Sequence, residues 1–268
     1  MADYKDKIVV ITGGSDGIGK ALVAQFLALG AKVATCGRTQ TKLDDLAREF
    51  NSPNLLVIAA DVSQQSDCTS FIEKVVSQWG TIDILINNAG ISMRALVKEV
   101  SIDTLKNVMD INFWGVVYGS KALLPHMQKV EEAHIVNTSS IFGTIAVPSQ
   151  SAYNASKFAV RGFTYALRME LEKTHINVSC VQPGGVKTNI VRDSRYIAPD
   201  NAAPTKEEIT ATFESMANLT SDQAAEKILT GVIKNKAQIL VGRDAIFIAI
   251  LERLAPVLYQ KLISRAFS

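Results

Sequence analysis

Apolar residues follow two rhythms along this chain, and the rhythms take turns. Short apolar runs, interrupted by polar residues at 133–140 and 175–181, occupy residues 7–12, 32–36, 54–60, 83–86, 133–140, 175–181 and 238–241, most of them rich in valine and isoleucine. Such a run is how a strand reads when both faces of a parallel sheet are covered. Between the runs, residues 20–29, 66–79, 101–121, 153–173 and 221–235 place apolar side chains at the spacing of a helix with one buried face. Residues 101–121 are expected to form one long helix. Strand and helix alternate without a break in composition. They predict one α/β domain over residues 1–243, a Rossmann-like, doubly wound, parallel, seven-stranded sheet with helices on both faces.

Two segments depart from the rhythm. Residues 189–204 contain Arg192, Asp193, Arg195, Pro199, Asp200 and Pro204 and no apolar period, and a helix is expected after them at 205–218. An irregular stretch of that length inside a compact domain is usually functional, so residues 189–218 are expected to form a lid over a substrate. Residues 244–268 read as a C-terminal helical extension, uncharged from 245 to 251 and apolar again at Leu254, Val257, Leu258 and Leu262. Pro256 is where that helix is expected to kink or end. Arg243, Arg253, Lys261 and Arg265 outnumber Asp244 and Glu252 there. An apolar helix of this kind must be covered by its own domain, by a second subunit or by a membrane surface.

Bulk composition narrows the function. With 47% apolar and 20% charged residues the chain is an ordinary globular one, and a net charge of +2 gives no footing for a nucleic-acid partner. Cys36, Cys68 and Cys180 are odd in number and far apart, and His126, His134 and His175 show no ligand spacing. That pattern fits buried thiols in a reducing compartment and argues against a disulfide framework or a metal site. Residues 1–7 carry both signs of charge and lead into a strand, so no secretory signal is read. A cytoplasmic protein is expected, with peripheral membrane contact through the C-terminal helix left open.

The first strand runs straight into Thr12-Gly13-Gly14-Ser15-Asp16-Gly17-Ile18-Gly19 and then a helix. Glycines let backbone N–H groups approach a pyrophosphate, and the helix start adds partial positive charge, so this is an anion cradle. The second strand ends at Gly37, followed by Arg38, with Lys42 a helical turn on. An acidic residue there would bind the adenosine ribose and repel a 2′-phosphate, whereas two cations suit the phosphate. NADP(H) is therefore expected over NAD(H), with Asp16 pulling slightly the other way.

Tyr153 and Lys157 stand four apart in a helical segment, so their side chains leave one face. A lysine cation beside a phenol favours the phenolate, and a free phenol, with a pKa of about 10, needs such help near neutrality. The strand at 133–140 ends in Ser139 and Ser140, where open α/β sheets hold their ligands. Ser140 is placed to hydrogen-bond the substrate oxygen that Tyr153 protonates.

Taken together, these motifs resemble the short-chain dehydrogenase/reductase family in its single-domain form, over residues 5–242. Thr12-Gly-x-x-x-Gly-x-Gly19 is similar to its cofactor turn, which implies contacts from Gly13, Ser15, Gly17, Ile18 and Gly19. Asp61 and Val62 resemble its adenine contact, and Asn87-Asn88-Ala89-Gly90 its fourth-strand motif. The turn at Pro183 and Gly184, continuing to Val186 and Thr188, resembles the one beside the nicotinamide. Asn112, Ser140, Tyr153 and Lys157 fall where the family keeps its catalytic tetrad, the family's spacing selecting Ser140 over Ser139.

The resemblance implies hydride transfer between NADP(H) and a carbonyl or secondary alcohol, and membrane contact by the C-terminal helix would suit a lipid-like carbonyl. It gives Tyr153 the proton and Ser140 the substrate oxygen. Lys157 takes the tyrosine and the ribose hydroxyls, and Asn112 a water leading from Lys157 to solvent. It also implies a homo-oligomer, dimer or tetramer. Met93, Arg94, Phe142 and Val147 are expected in the substrate walls. A nucleotide-sensing protein that kept the fold without turnover is the alternative, and it has no use for Ser140 and Tyr153 together.

Overall fold

The computed structural model describes residues 4–198 and 203–266. Strand β1 (Ile8–Thr12) is wholly buried and leads through the glycine turn to α1 (Gly17–Ala28). Next come β2 (Lys32–Gly37), α2 (Gln40–Phe50), β3 (Leu55–Ala59), α3 (Gln65–Trp79) and β4 (Ile84–Asn87). A two-residue strand β5 (Met93–Arg94) precedes α4 (Ile102–Met109), a π-helical turn (Asp110–Trp114) and α5 (Gly115–Met127). Then follow β6 (Ala133–Thr138), a 3₁₀ turn (Ile141–Gly143), α6 (Ser151–Glu170) and β7 (Ile176–Pro183). The chain closes with β8 (Arg195–Tyr196), α7 (Lys206–Met216), α8 (Ser221–Ile233), β9 (Gln238–Val241), α9 (Arg243–Leu254) and α10 (Leu258–Ala266).

The seven long strands form one parallel sheet in the order β3-β2-β1-β4-β6-β7-β9. From β1 the chain winds outward through β2 to β3, then returns to the other side of β1 at β4. The direction of winding reverses there, and open α/β sheets hold ligands beyond the C-terminal strand ends at that crevice. Alternate strand residues feed the two cores. Val9 and Ile11 face α1 and α8 with Phe26, Ile228 and Val241, whereas Ile8 and Val10 face the layer of Phe71, Ile72, Leu123 and Met127. That alternation explains the apolar runs of the inner strands β1 and β4, neither face of which meets water.

Three expectations need amendment. The helix expected at 101–121 is continuous in direction but not in kind, because five residues around Asn112 take a π turn between α4 and α5. The stretch at 189–204 is not wholly irregular, since β8 pairs with β5 as Met93↔Arg195 and Arg94↔Tyr196. Its residues 199–202 lie outside those described, as do residues 267–268 of the expected C-terminal helical extension. The C-terminal helix breaks as expected, its two parts ending at Leu254 and beginning at Leu258 on either side of Pro256.

Candidate active site

The glycine turn is built by what side chains cannot occupy. Gly13 and Gly17 have φ of +70° and +52°, in the left-handed region that favours glycine. A Cβ on Gly19 would sit 2.1 Å from the Gly13 carbonyl oxygen, and one on Gly13 2.9 Å from Ala89 Cα. The Asn87–Gly90 segment is locked to this turn. Thr12 Oγ1 accepts from the Asn88 and Ala89 N–H groups at 3.0 and 3.1 Å, and Asn88 Nδ2 donates to the carbonyls of Thr12 and Gly13 at 3.2 and 3.3 Å. Ser15 lies against Gly37, and Ile18 packs on the core. A backbone-lined hollow at the start of α1 fits the diphosphate of a dinucleotide, which approaches only where side chains are missing.

The rim carries mixed charge. Asp16 caps α1, accepting from Gly17 N at 2.7 Å, and also accepts from Asn189 Nδ2 at 3.1 and 3.0 Å. Lys42 lies 3.6 Å from Asp16 and 3.8 Å from Asp193. Burial pushes the Asp16 carboxyl up, but hydrogen bonds from Asn189 and Gly17 and the Lys42 charge together hold it below its usual value. Arg38 is exposed beside them, with no ion pair among the described residues. Asp61 spends Oδ1 on Ser63, whose N–H and hydroxyl donate at 3.0 and 2.8 Å. Val62 is buried against Gly115.

Ser140, Tyr153 and Lys157 meet at the C-terminal end of β6, all buried. The two serines there take different partners. Ser139 Oγ donates to the Lys157 carbonyl at 2.7 Å, while Ser140 shares a hydrogen bond with the Tyr153 phenol and accepts from Phe142 N at 3.1 Å. Lys157 Nζ donates to the Thr138 carbonyl at 2.9 Å and lies 5.7 Å from the Tyr153 ring centre. Burial pushes the phenol up, with the Ser140 hydrogen bond pulling back, and burial lowers the Lys157 ammonium to about 8. Lys157 is not among the groups shifting the phenol, so the depressed tyrosine expected from the sequence is not what this arrangement gives.

Asn112 is fully buried in the π turn. Its Oδ1 accepts from Ile91 N at 2.8 Å, and its Nδ2 donates to the Ile91 carbonyl and Ser156 Oγ at 2.9 and 3.0 Å. Both its amide hydrogens are therefore engaged, and one oxygen lone pair is left for another donor. A Cβ on Gly90 would meet both this oxygen and Lys157 Nζ, at 3.2 and 3.3 Å, which brings Asn112 and Lys157 to one spot.

The segment after β7 crosses directly over the glycine turn. A Cβ on Gly17 would be 3.2 Å from Thr188 Cγ2, and Asn189 is clipped to Asp16. Val186 is buried in the core against Leu219, so its backbone is what it presents to the site. Further on, Arg195 N donates to the Ser92 carbonyl, Ile197 N to the Arg94 carbonyl, and Arg195 Nη1 to Thr104 Oγ1. The first part of the stretch expected as a lid, residues 189–197, is thus tied to the cofactor turn and to β5. Of the expected walls, Phe142 stands edge-on to Tyr153 at 6.2 Å, and Arg94 is half-buried. Met93 and Val147 are instead sunk into small cores.

Three supporting residues escaped the sequence reading. Asn154 Nδ2 donates to the carbonyls of Phe142 and Ile145 at 2.7 and 2.9 Å, and its Oδ1 accepts from Val147 N, fixing the loop before Tyr153. Asp244 Oδ2 accepts from Gly185 N at 2.6 Å and braces the turn after Pro183 and Gly184. Thr35 Oγ1 accepts from Gly14 N and donates to the Ile11 carbonyl. A polar residue inside an apolar run was the available signal for Thr35, whereas nothing local marked Asn154 or Asp244.

Known proteins place this arrangement. A family model described as short chain dehydrogenase matches residues 7–196. The putative oxidoreductase SadH of Mycobacterium tuberculosis is 38% identical over 272 residues, spanning 98% of this chain and 96% of its own. A short-chain dehydrogenase/reductase from Burkholderia phymatum, solved with NAD, is 25% identical over 97% of both chains with a TM-score of 0.85. The closed form of a serine dehydrogenase with NADP+ is 27% identical over 84% of this chain and 88% of its own, with a TM-score of 0.74. With the glycine turn at the reversal of the sheet and a serine, a tyrosine and a lysine gathered beyond β6, the chain belongs to the short-chain dehydrogenase/reductase family of nicotinamide-dependent oxidoreductases.

Proposed function

We propose that this protein is an NADP(H)-dependent carbonyl reductase or alcohol dehydrogenase with Tyr153 as its acid and base. One observation carries the reading: a buried phenol, hydrogen-bonded to Ser140, stands beside a buried lysine beyond the strand ends. When bound, the nicotinamide supplies or accepts the hydride. The chain's own residues handle the proton and the substrate oxygen. Ser140 holds the oxygen in place and stabilises charge developing there, and Tyr153 donates its hydroxyl proton to it. Because burial raises the phenol, Tyr153 is protonated near neutrality, the form that serves carbonyl reduction.

Lys157, with one of its three donors on Thr138 and the others uncommitted among the described residues, holds the ribose hydroxyls and passes protons toward Tyr153. Asn112 fixes the Ile91 backbone beside it, and its remaining lone pair anchors the water path to solvent. The turn from Gly13 to Gly19, with Ser15 and Ile18, cradles the diphosphate. Asp61 and Val62 border the adenine, Asn88 to Gly90 the ribose, and Pro183, Gly184, Val186 and Thr188 the nicotinamide side. Arg38 and Lys42 favour the 2′-phosphate of NADP(H), although Lys42 must first be drawn from Asp16 and Asp193. The reading extends to a cytoplasmic homo-oligomer, dimer or tetramer. Three buried free cysteines support the reducing compartment, their thiols pushed by burial to about 12 for Cys36, 11 for Cys68 and 12 for Cys180.

A panel of aldehydes and ketones, lipid-like ones included, with NADPH or NADH oxidation followed by absorbance, tests the reading. The expected result is turnover on a carbonyl class, faster at low cofactor with NADPH. Tyr153→Phe keeps the ring and removes the proton, so turnover should fall by about 10²–10⁴-fold with thermal stability and cofactor affinity kept. Near-native turnover by Tyr153→Phe would overturn the assignment.

A further inference from the structure

Helices α9 and α10 follow one another across a break at Pro256, and α9 is apolar on two opposite sides. One side belongs to the domain. Ala245 is buried, Ile248 and Leu251 pack with Ile145 and Val147, and Tyr259 on α10 is buried with its hydroxyl accepting from Ala146 N. The other side faces out. Ile246, Phe247, Ile250, Leu254, Val257 and Leu258 are exposed, from 46% at Ile246 to 79% at Leu254. Among the described residues, six of the fourteen exposed large apolar side chains therefore crowd into one short segment, which scattered surface hydrophobics do not do. At about 100° per residue, Ile246, Phe247, Ile250 and Leu254 fall within an arc of about 120°, one stripe rather than a scatter.

The charges around this stripe decide what covers it. Arg243, Arg253, Lys261 and Arg265 are all exposed. The two acids of α9 are half-buried, and Asp244 is spent on the backbone of Gly185. Among the described residues, and apart from the neutral Gln260 and Ser264, the exposed side chains of α9 and α10 are apolar or cationic. A second copy meeting this patch about a twofold axis would bring two sets of these cations into one interface with no fully exposed acid of this segment to pair them. A bilayer carrying anionic headgroups meets both features at once: apolar side chains enter the boundary of the acyl region, and cations lie among the phosphates.

We propose that the exposed side of the C-terminal helices α9 and α10 is a docking surface for an anionic phospholipid membrane. Leu254, Val257 and Leu258 around the break, with Phe247 and Ile250 along α9, form the inserting edge. The opposite side of these helices packs on the loop between Ser140 and Tyr153, so docking brings the catalytic loop to the lipid surface. On the functional reading above, that geometry selects carbonyl compounds that partition into membranes.

The test is sedimentation of the full chain with vesicles of phosphatidylserine and phosphatidylcholine, against vesicles of phosphatidylcholine alone. Binding to the anionic vesicles is expected, weakening with salt, and at least about tenfold weaker on neutral ones. A Phe247→Ser, Leu254→Ser double variant should lose binding. Arg253→Glu, a change of two charges, should weaken it about thirtyfold. Thermal melting and nicotinamide binding of each variant show that the fold is intact, and since no turnover is read, a wrong reaction would not disturb the result. Absence of binding to anionic vesicles overturns the proposal, as does equal binding to neutral ones. A double variant that still binds, or that turns a native oligomer into monomers while the native chain ignores vesicles, overturns it as well.

Discussion

Strands β6 and β7 carry a buried polar group at each end, and the two ends treat it differently. At the N-terminal end, His134 Nε2 is 2.8 Å from Ser179 Oγ, which donates to the Lys236 carbonyl at 2.7 Å. Beside them Arg168 donates to the Val178 carbonyl and to the side chain and carbonyl of Asn235. Each group there has partners from its own chain. At the C-terminal end, Lys157 is buried as a cation with a single acceptor for its three hydrogens among the described residues. A satisfied network holds the sheet together, whereas an underspent buried donor is costly to the fold and available to a ligand. The difference separates a structural site from a functional one without appeal to motif.

The strongest way to break this comparison is Lys157→Met. Turnover should fall by about 10²–10⁴-fold and cofactor affinity with it. Yet the fold should be no less stable at neutral pH in urea, because the lost cation was poorly paired. A clear loss of stability would show that Lys157 is held as firmly as Arg168.

His134 should govern acid stability instead. Burial, with Arg168 nearby, lowers it from 6.5 to about 4. The folded value lies below the unfolded one, so between them the unfolded chain holds the extra proton. Stability should then fall as pH drops through 6.5 and level off below about 4, by about 3 kcal/mol at most. His134→Gln should flatten that slope in urea titrations at pH values across the window, with turnover unchanged.

At the exposed rim the effects shrink. Arg38→Ala should cost NADPH about 1.5–3 kcal/mol of affinity, roughly ten- to a hundredfold, and leave NADH alone. Dissociation constants for the two cofactors measure this, and an equal loss for both would place Arg38 away from the 2′-phosphate. Smallest of all is Asn189→Ala, which removes the clip between lid and cofactor turn. Its bonds to Asp16 are half-exposed, so cofactor affinity should drop by about 1 kcal/mol or less, chiefly through faster release in stopped-flow fluorescence.

What was legible in the sequence follows the same division between local and distant. The glycine turn and the Tyr153–Lys157 pair are set by neighbours along the chain, so spacing alone located them. The seven long strands were legible because burial leaves a short apolar run at each. Strands β5 and β8 were not, since each is two residues long and exists only through a partner about a hundred positions away. Asp244 is equally silent, reading as a tail residue until the fold brings it to Gly185. The raised Tyr153 phenol was not legible for a related reason: spacing gives the proximity of Lys157 but not the burial of the phenol.

The π turn at Asp110–Trp114 has a consequence for the whole of the long helical segment. One added residue per turn is a phase shift of about 100° in every side chain downstream of it. Upstream of the shift, α4 packs on α6, and downstream, α5 packs on α3. Deleting one residue there would restore an unbroken hydrogen-bond ladder while rotating Asn112 away from Ile91 and Ser156, or else α5 away from α3. The more regular helix would be out of phase with one of its two neighbours.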